Sequence, residues 1–251
     1  MTIQAYDTDA AALLNALLTT IEKDLIPLTR STVSSGNNKV SGAAILSKSN
    51  LVPITAAANN EGASPLLHGE INCLQQFFGR TPTPTPTPTP PAATNNHRPV
   101  SSRRQDPRDC VFLATHEPCS LCLSGIAWSR FDNVFYLFTH EDSRDMFGSP
   151  HDIEILQEVF GNPPPAAAPA STESETLEES TDDARPLYNR RNKFFTARSV
   201  GDLVREIVEK HGATEGRKWE DEVTRVKALY NGLRDTSLRK PGYAHSGSFW
   251  K

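Results

Sequence analysis

Residues 110–138 (CVFLATHEPCSLCLSGIAWSRFDNVFYLF) constrain the fold most. The apolar run 110–115 reads as a buried strand and 133–138 as another. Between them, 119–130 reads as a helix, with Pro118 just before its first turn, where a missing N–H costs little. Strand–helix–strand implies neighbouring parallel strands joined by a right-handed crossover. The chain must therefore build a sheet with helical cover.

The rest of the chain supplies matching pieces. Residues 9–28 place Leu13, Leu14, Leu17, Leu18 and Ile21 at helical spacing, with Thr8 or Asp9 as the cap and Pro27 helping to end the helix. Residues 39–46 and 51–58 read as strands joined by a turn at 47–50. Pro53 suits an edge strand or a bulge. A loop at 59–67 leads into His68-Gly69-Glu70 and a helix (INCLQQFF). Further along, 151–160 reads as a helix, 193–198 as a last strand, and 199–210 and 216–236 as two helices. Two stretches break the pattern. Residues 81–90 alternate Thr and Pro, which removes amide donors and favours extended backbone, so 79–108 is expected to be a disordered insertion. Residues 162–185 are rich in Pro and Ala and then acidic, the composition of a second disordered insertion. With both set aside, residues 1–251 read as a single α/β domain whose sheet is covered on both faces.

Composition narrows the function. The hydrophobic fraction of 37% lies below the ~45–50% of a typical domain, and the two polar stretches account for the deficit. A net charge of −4 gives no strong bias toward nucleic acid or anionic membrane. No apolar run approaches the ~18 residues of a membrane span, and residues 1–10 lack the basic and apolar regions of a secretory signal. A cytoplasmic chain is expected, with the nucleus as the alternative and no membrane partner. Four cysteines are too few for a disulfide scaffold of this size. Cys119-x-x-Cys122 in such a chain points to metal or redox chemistry.

Two fragments carry that chemistry, His68-Gly69-Glu70 and Pro118-Cys119-Ser120-Leu121-Cys122. Together they match H-x-E … P-C-x-x-C, the known signature of zinc deaminases. Zinc accepts imidazole nitrogen and thiolate sulfur, and three protein ligands leave a fourth position for water, as in catalytic rather than structural sites. Cys110 and Cys73 are poorly placed to fill it: a strand separates the first from Cys119, and the second lies roughly 140° round a helix from His68. Both ligand fragments sit at expected helix N-termini, whose partial positive charge favours thiolates. Residues 68 and 70 point ~200° apart in a regular helix, so His68 must precede the first turn. Zinc held there would supply a water that is nucleophilic near neutral pH for attack on a ring carbon bearing an amino group, and Glu70, which is not a ligand, would carry the proton to the ring nitrogen and then to the departing amine.

On these residues the chain resembles the cytidine and deoxycytidylate deaminase superfamily over about 38–140, minus the insertion. HGEINCLQQFFGR is similar to fungal cytosine deaminases, and THEPCSLC to tRNA adenosine deaminases. The resemblance implies a three-layer α/β/α sandwich around a mixed sheet of about five strands, commonly dimeric or tetrameric, so a homo-oligomer is expected. It implies zinc on His68, Cys119 and Cys122, with Glu70 as the proton carrier. An asparagine at the end of the second strand, Asn59 or Asn60, contacts the substrate. The main-chain carbonyl of Glu117 accepts a hydrogen bond from the substrate's amino group, which asks nothing of the Glu117 side chain. The implied activity is hydrolytic release of ammonia from a small amino-substituted base, nucleoside or nucleotide, cytosine-type first. An RNA-editing deaminase stands second and an inactive zinc-binding subunit of a deaminase complex third.

Several residues keep two readings. His140, Glu141 and Asp142 follow a strand, where α/β ligand sites often lie, and either select substrate or form a solvated turn. His116 reads as structural or as support behind the site, and Cys73 and Cys110 as buried thiols. Phe249 and Trp250 form an apolar lid or a frayed end. Arg190, Arg191, Lys193, Arg217, Lys218, Arg225 and Lys227 either grip RNA phosphate or belong to mixed-charge surface.

Overall fold

The structure, a computed structural model, describes residues 6, 8–35, 39–79, 105–161 and 187–238. Its centre is a five-stranded sheet of β1 (Gly42–Ser47), β2 (Pro53–Ala58), β3 (Cys110–His116), β4 (Asn133–Phe138) and β5 (Thr196–Ser199), in the order β2-β1-β3-β4-β5. β1 runs antiparallel to β2 and β3, while β3, β4 and β5 are mutually parallel neighbours, so the sheet is mixed. Pro53 lies on the edge strand β2, where the register shifts between Ile45 and Leu46. An edge position asks Pro53 for no ladder donor.

Side chains alternate across the strands and define two cores. Ala44, Leu46, Val111, Leu113, Phe135 and Leu137 face one way. They are covered by α1 (Ala10–Thr20), α2 (Ile26–Ser34), α5 (His140–Phe147), α7 (Val200–His211), α8 (Ala213–Ala228) and α9 (Asn231–Leu238). Ala43, Ile45, Cys110, Phe112, Ala114, Val134 and Tyr136 face the other way, against Cys73 and Leu74 of α3 (Gly69–Phe77) and Leu123 and Ile126 of α4 (Ser120–Trp128). The period of two sends each strand into both layers, and the result is the α/β/α sandwich.

Asp9 caps α1 by accepting the Ala11 N–H at 2.8 Å. Pro27 does not end the helical run as expected. A π turn over Ile21–Leu25 precedes α2, Pro27 falls in the first turn of α2, and the chain stays helical to Ser34. A proline within a helix lacks its N–H and crowds the carbonyl four residues back; the wider turn shifts the ladder just where those penalties would fall. The helix expected over 216–236 is two, because 229–230 separate α8 from α9. A short helix, α5, starts directly at the end of β4, where no helix was read, and α6 (His151–Phe160) follows it.

Most of the first expected insertion, 80–104, and all of 162–185 lie outside the described residues, as do Phe249 and Trp250. At the edge of the first, Pro107–Asp109 form a 3-10 turn capped by Asp106, whose side chain accepts the Arg108 N–H, so structure resumes before the expected boundary at 108. Among the described residues, no helix is long and apolar enough to cross a membrane.

Candidate metal centre

Two helix N-termini meet at one point. His68 is the N-cap of α3, with φ −58° and ψ 156°, and Cys119 is the N-cap of α4, with φ −65° and ψ 172°. Neither backbone is helical and neither side chain caps its helix, so both are free to turn toward each other. This resolves the 200° problem: His68 precedes the helix and Glu70 lies inside it. Asn72 locks α3 to the end of β2 by donating its Nδ2–H to the Ala58 carbonyl at 2.8 Å. Gly69 lets the helix start so close to the sheet. A Cβ there would stand 2.7 Å from Gly42 Cα.

His68 Nδ1 lies 3.5 Å from Cys119 Sγ and 3.6 Å from Cys122 Sγ. Potential ligand atoms of these three residues all fall within 4.8 Å of one another, and among the described residues they are the one such group. Cys122 is fully buried, and its Sγ is 3.4 Å from Glu70 Oε2. The neighbouring Cys122 thiol and His68 bring the Cys119 thiol down to about 4, so the pair carries its first negative charge at the N-terminus of α4. Burial, with the Cys119 charge, pushes Glu70 up to about 7. The donor set is two sulfurs and one imidazole nitrogen, and it suits zinc. Cys73 and Cys110 stay out of the group; their thiols approach the carbonyls of Thr55 (3.9 Å) and Asp106 (3.5 Å) instead.

The two ligand fragments also fall within a known family's zinc-binding region. The family described as the cytidine and deoxycytidylate deaminase zinc-binding region matches residues 25–138, which contain both ligand fragments. That match spans a little under half of the chain and includes every residue of both fragments. The X-ray structure of a guanine deaminase from Bacillus subtilis is 19% identical, with a TM-score of 0.39, over 68% of this chain and 88% of that one. No curated protein matched the chain. His68, Cys119 and Cys122 are the residues of the matched zinc-binding region that could hold the ion.

Around the zinc site, the other expected residues separate. Asn59 is fully buried at the end of β2, its N–H bonded to the Ser41 carbonyl. Asn60 instead closes the loop, donating to the Leu67 carbonyl and accepting from Ala63 and Ser64. His140 is 1% exposed in the first turn of α5, which excludes the solvated-turn reading for it, and among the described residues neither ring nitrogen has a hydrogen-bond partner. Glu117 departs from expectation. Its buried carboxylate accepts the His140 main-chain N–H (3.0 Å), the Tyr188 hydroxyl (2.9 Å) and the Arg190 guanidinium (Nε 3.1 Å, Nη2 2.9 Å). The side chain that the resemblance left without a role is the centre of a polar cluster. His116 is structural: its ring packs against Phe138, Phe147 and Tyr230, and burial pushes it down to about 3. On α8, Arg225 pairs with Glu22 and Glu222, and Lys227 with Asp142.

Two further carboxylates face the site. Glu61, in the loop before His68, lies 3.7 Å from His68 Nε2 and 2.9 Å from Lys39 Nζ. It stands on the side of the ring nitrogen that does not face the sulfurs, beyond hydrogen-bond distance. Asp152, in the first turn of α6, is raised by burial and then by the Cys119 charge, and it also feels His140, Lys39 and His68. No motif in the sequence marks either residue.

Proposed function

We propose that the chain is a zinc-dependent hydrolytic deaminase that releases ammonia from an amino-substituted nucleobase, nucleoside or nucleotide, with cytosine-type substrates first. The observation that carries this reading is the placement of Glu70: a buried carboxyl whose Oε2 lies 3.4 Å from Cys122 Sγ, beside the His68, Cys119 and Cys122 group. A carboxyl held there can accept a proton and return it.

His68, Cys119 and Cys122 would hold the zinc ion, which would supply Lewis acidity and a water that is nucleophilic near neutral pH. The protein's own groups do the rest. Glu70 accepts the proton given up by the attacking water and delivers it to the ring nitrogen beside the attacked carbon. It takes the remaining hydroxyl proton and passes it to the amino nitrogen, which leaves as ammonia while the ring keeps the oxygen as a carbonyl. Asn59 at the end of β2 and the Glu117 main-chain carbonyl hold the base, and His140 contacts its periphery. Asn60, whose main chain closes the loop, is the second asparagine candidate. The match to the deaminase zinc-binding region and the likeness of HGEINCLQQFFGR to cytosine deaminases support the ordering of substrates.

The test is ammonia release from a panel of free bases, nucleosides and nucleotides, with folded RNA as a separate arm. The zinc-loaded chain is expected to act on a pyrimidine member, and Glu70→Gln to keep its zinc and release nothing. Release only from folded RNA would transfer the assignment to an editing enzyme. A zinc-loaded chain inert toward every arm would leave the non-catalytic subunit.

A further inference from the structure

The family match ends at residue 138, yet the loop that delivers Cys119 is held by side chains far beyond it. Residues 188 and 190 reach the chain's metal loop after the long polar stretch and meet Glu117, two positions before Cys119. The Glu117 side chain is completely shielded from solvent, and the Tyr188 hydroxyl and Arg190 guanidinium both converge on its Oε1. Its Oε2 takes the His140 N–H at the start of α5. The Glu117 N–H continues the β3–β4 pairing by donating to the Phe138 carbonyl at 2.7 Å. The residue is thus fixed at its backbone and at both carboxylate oxygens.

Arg190 itself is held on a rigid support. Its carbonyl accepts the Ala197 N–H at 2.8 Å, joining it to β5, and Asn192 Oδ1 closes the intervening turn by accepting the Phe194 and Phe195 N–H groups. The guanidinium lies 5.7 Å from the Tyr136 ring centre and 5.9 Å from that of Tyr188. A buried carboxylate needs such compensation, and removing one charged partner leaves the other stranded. The Glu117 backbone then shifts, and Pro118 and Cys119 follow it with no other residue between.

We propose that Arg190 and Tyr188 are positioning residues of the zinc site: by clamping the Glu117 carboxylate they set the path of the 117–119 backbone and thereby the place of the Cys119 sulfur. The proposal rests on the zinc reading above. It makes a segment outside the family match part of the metal centre, acting through Glu117 rather than by touching the ion.

Cobalt(II) tests this without any substrate. Its affinity is measured by competition with a chelator and its ligand field by the visible absorption bands, with far-ultraviolet circular dichroism as the check on folding. Arg190→Met is expected to weaken cobalt binding by about tenfold or more, the scale seen when groups supporting metal ligands are lost, and to shift the bands. Arg190→Lys restores part of the loss. Arg198→Met removes an ion pair of the same strand β5, with Glu206, and is expected to leave affinity and bands unchanged. Arg190→Met with the parent's affinity and spectrum would overturn the clamp. If Arg190→Met fails to fold, Tyr188→Phe decides, because it deletes one hydroxyl: shifted bands support the clamp and unshifted bands overturn it. Failure of the parent chain to bind cobalt would remove the zinc reading itself and the clamp with it, a result distinct from a parent that binds cobalt and a variant that binds it equally well.

Discussion

Replacing Gly69 with alanine adds one methyl group at the tightest point of the site. The new Cβ would lie 2.7 Å from Gly42 Cα and 3.1 Å from Gly42 N and C. Comfortable carbon–carbon contact begins at about 3.5 Å, so the start of α3 must lift from β1 by about 0.8 Å. The obstacle is backbone in a central part of the sheet and cannot swing aside. Overpacking of this kind costs about 1–3 kcal/mol, more than the gain of up to ~1 kcal/mol that alanine brings to a helix. His68 and Glu70 flank residue 69 and move with it, while the two sulfurs, on α4, do not. A misplacement of ~1 Å at a catalytic group is worth about a hundredfold in rate. Gly69→Ala is therefore expected to lower the urea midpoint, weaken zinc retention against a chelator and abolish most ammonia release. Gly125→Ala is the control: its Cβ would meet the ends of the Ile71 and Leu74 side chains at 2.8 and 3.3 Å, which can rotate away. A Gly69→Ala chain with parental stability and zinc retention would refute the argument that this close approach places the ligand.

Three other perturbations follow from the packing. Leu14→Ala, at a position with no exposure on α1, should cost about 2–5 kcal/mol in urea unfolding. Arg130 is exposed and left-handed, with φ 69°, just past the end of α4, so Arg130→Gly should stabilise by about 1 kcal/mol in the same assay. His116 has its pKa lowered in the fold by burial, to about 3 from an ordinary 6.5. A depressed folded value favours the fold above 6.5, and that contribution disappears as pH falls toward 3, at a slope approaching ~1.4 kcal/mol per pH unit. His116→Phe should flatten the acid limb of the stability curve over that window; an unchanged limb would show that His116 is not buried as a neutral ring.

The legible parts of the fold were those governed by local rules. Strand β4 and helix α6 sit where the sequence pattern puts them, because each is a compact stretch with its own apolar pattern. The zinc ligands were legible because metal chemistry restricts residue type and spacing together. Helix α5 was missed although its signal is present. Thr139 and Asp142 form a capping box, but the helix HEDSRDMF is mostly polar and follows β4 without a loop. Pro27 misled because a proline usually ends a helix, and a π turn leaves no local mark in sequence. Glu117 was underrated for another reason: its partners Tyr188 and Arg190 are 71 and 73 residues away, and no periodicity connects them.

The central claim is that one imidazole and two thiolates converge on a zinc ion that keeps a place for solvent. X-ray absorption at the zinc edge of the purified chain reads that shell directly. The account predicts one zinc per chain with two sulfurs at about 2.3 Å and two light atoms at about 2.0–2.1 Å, falling to one sulfur or to no metal in Cys119→Ser. A shell of four sulfurs, or a chain that takes up no zinc, would contradict it.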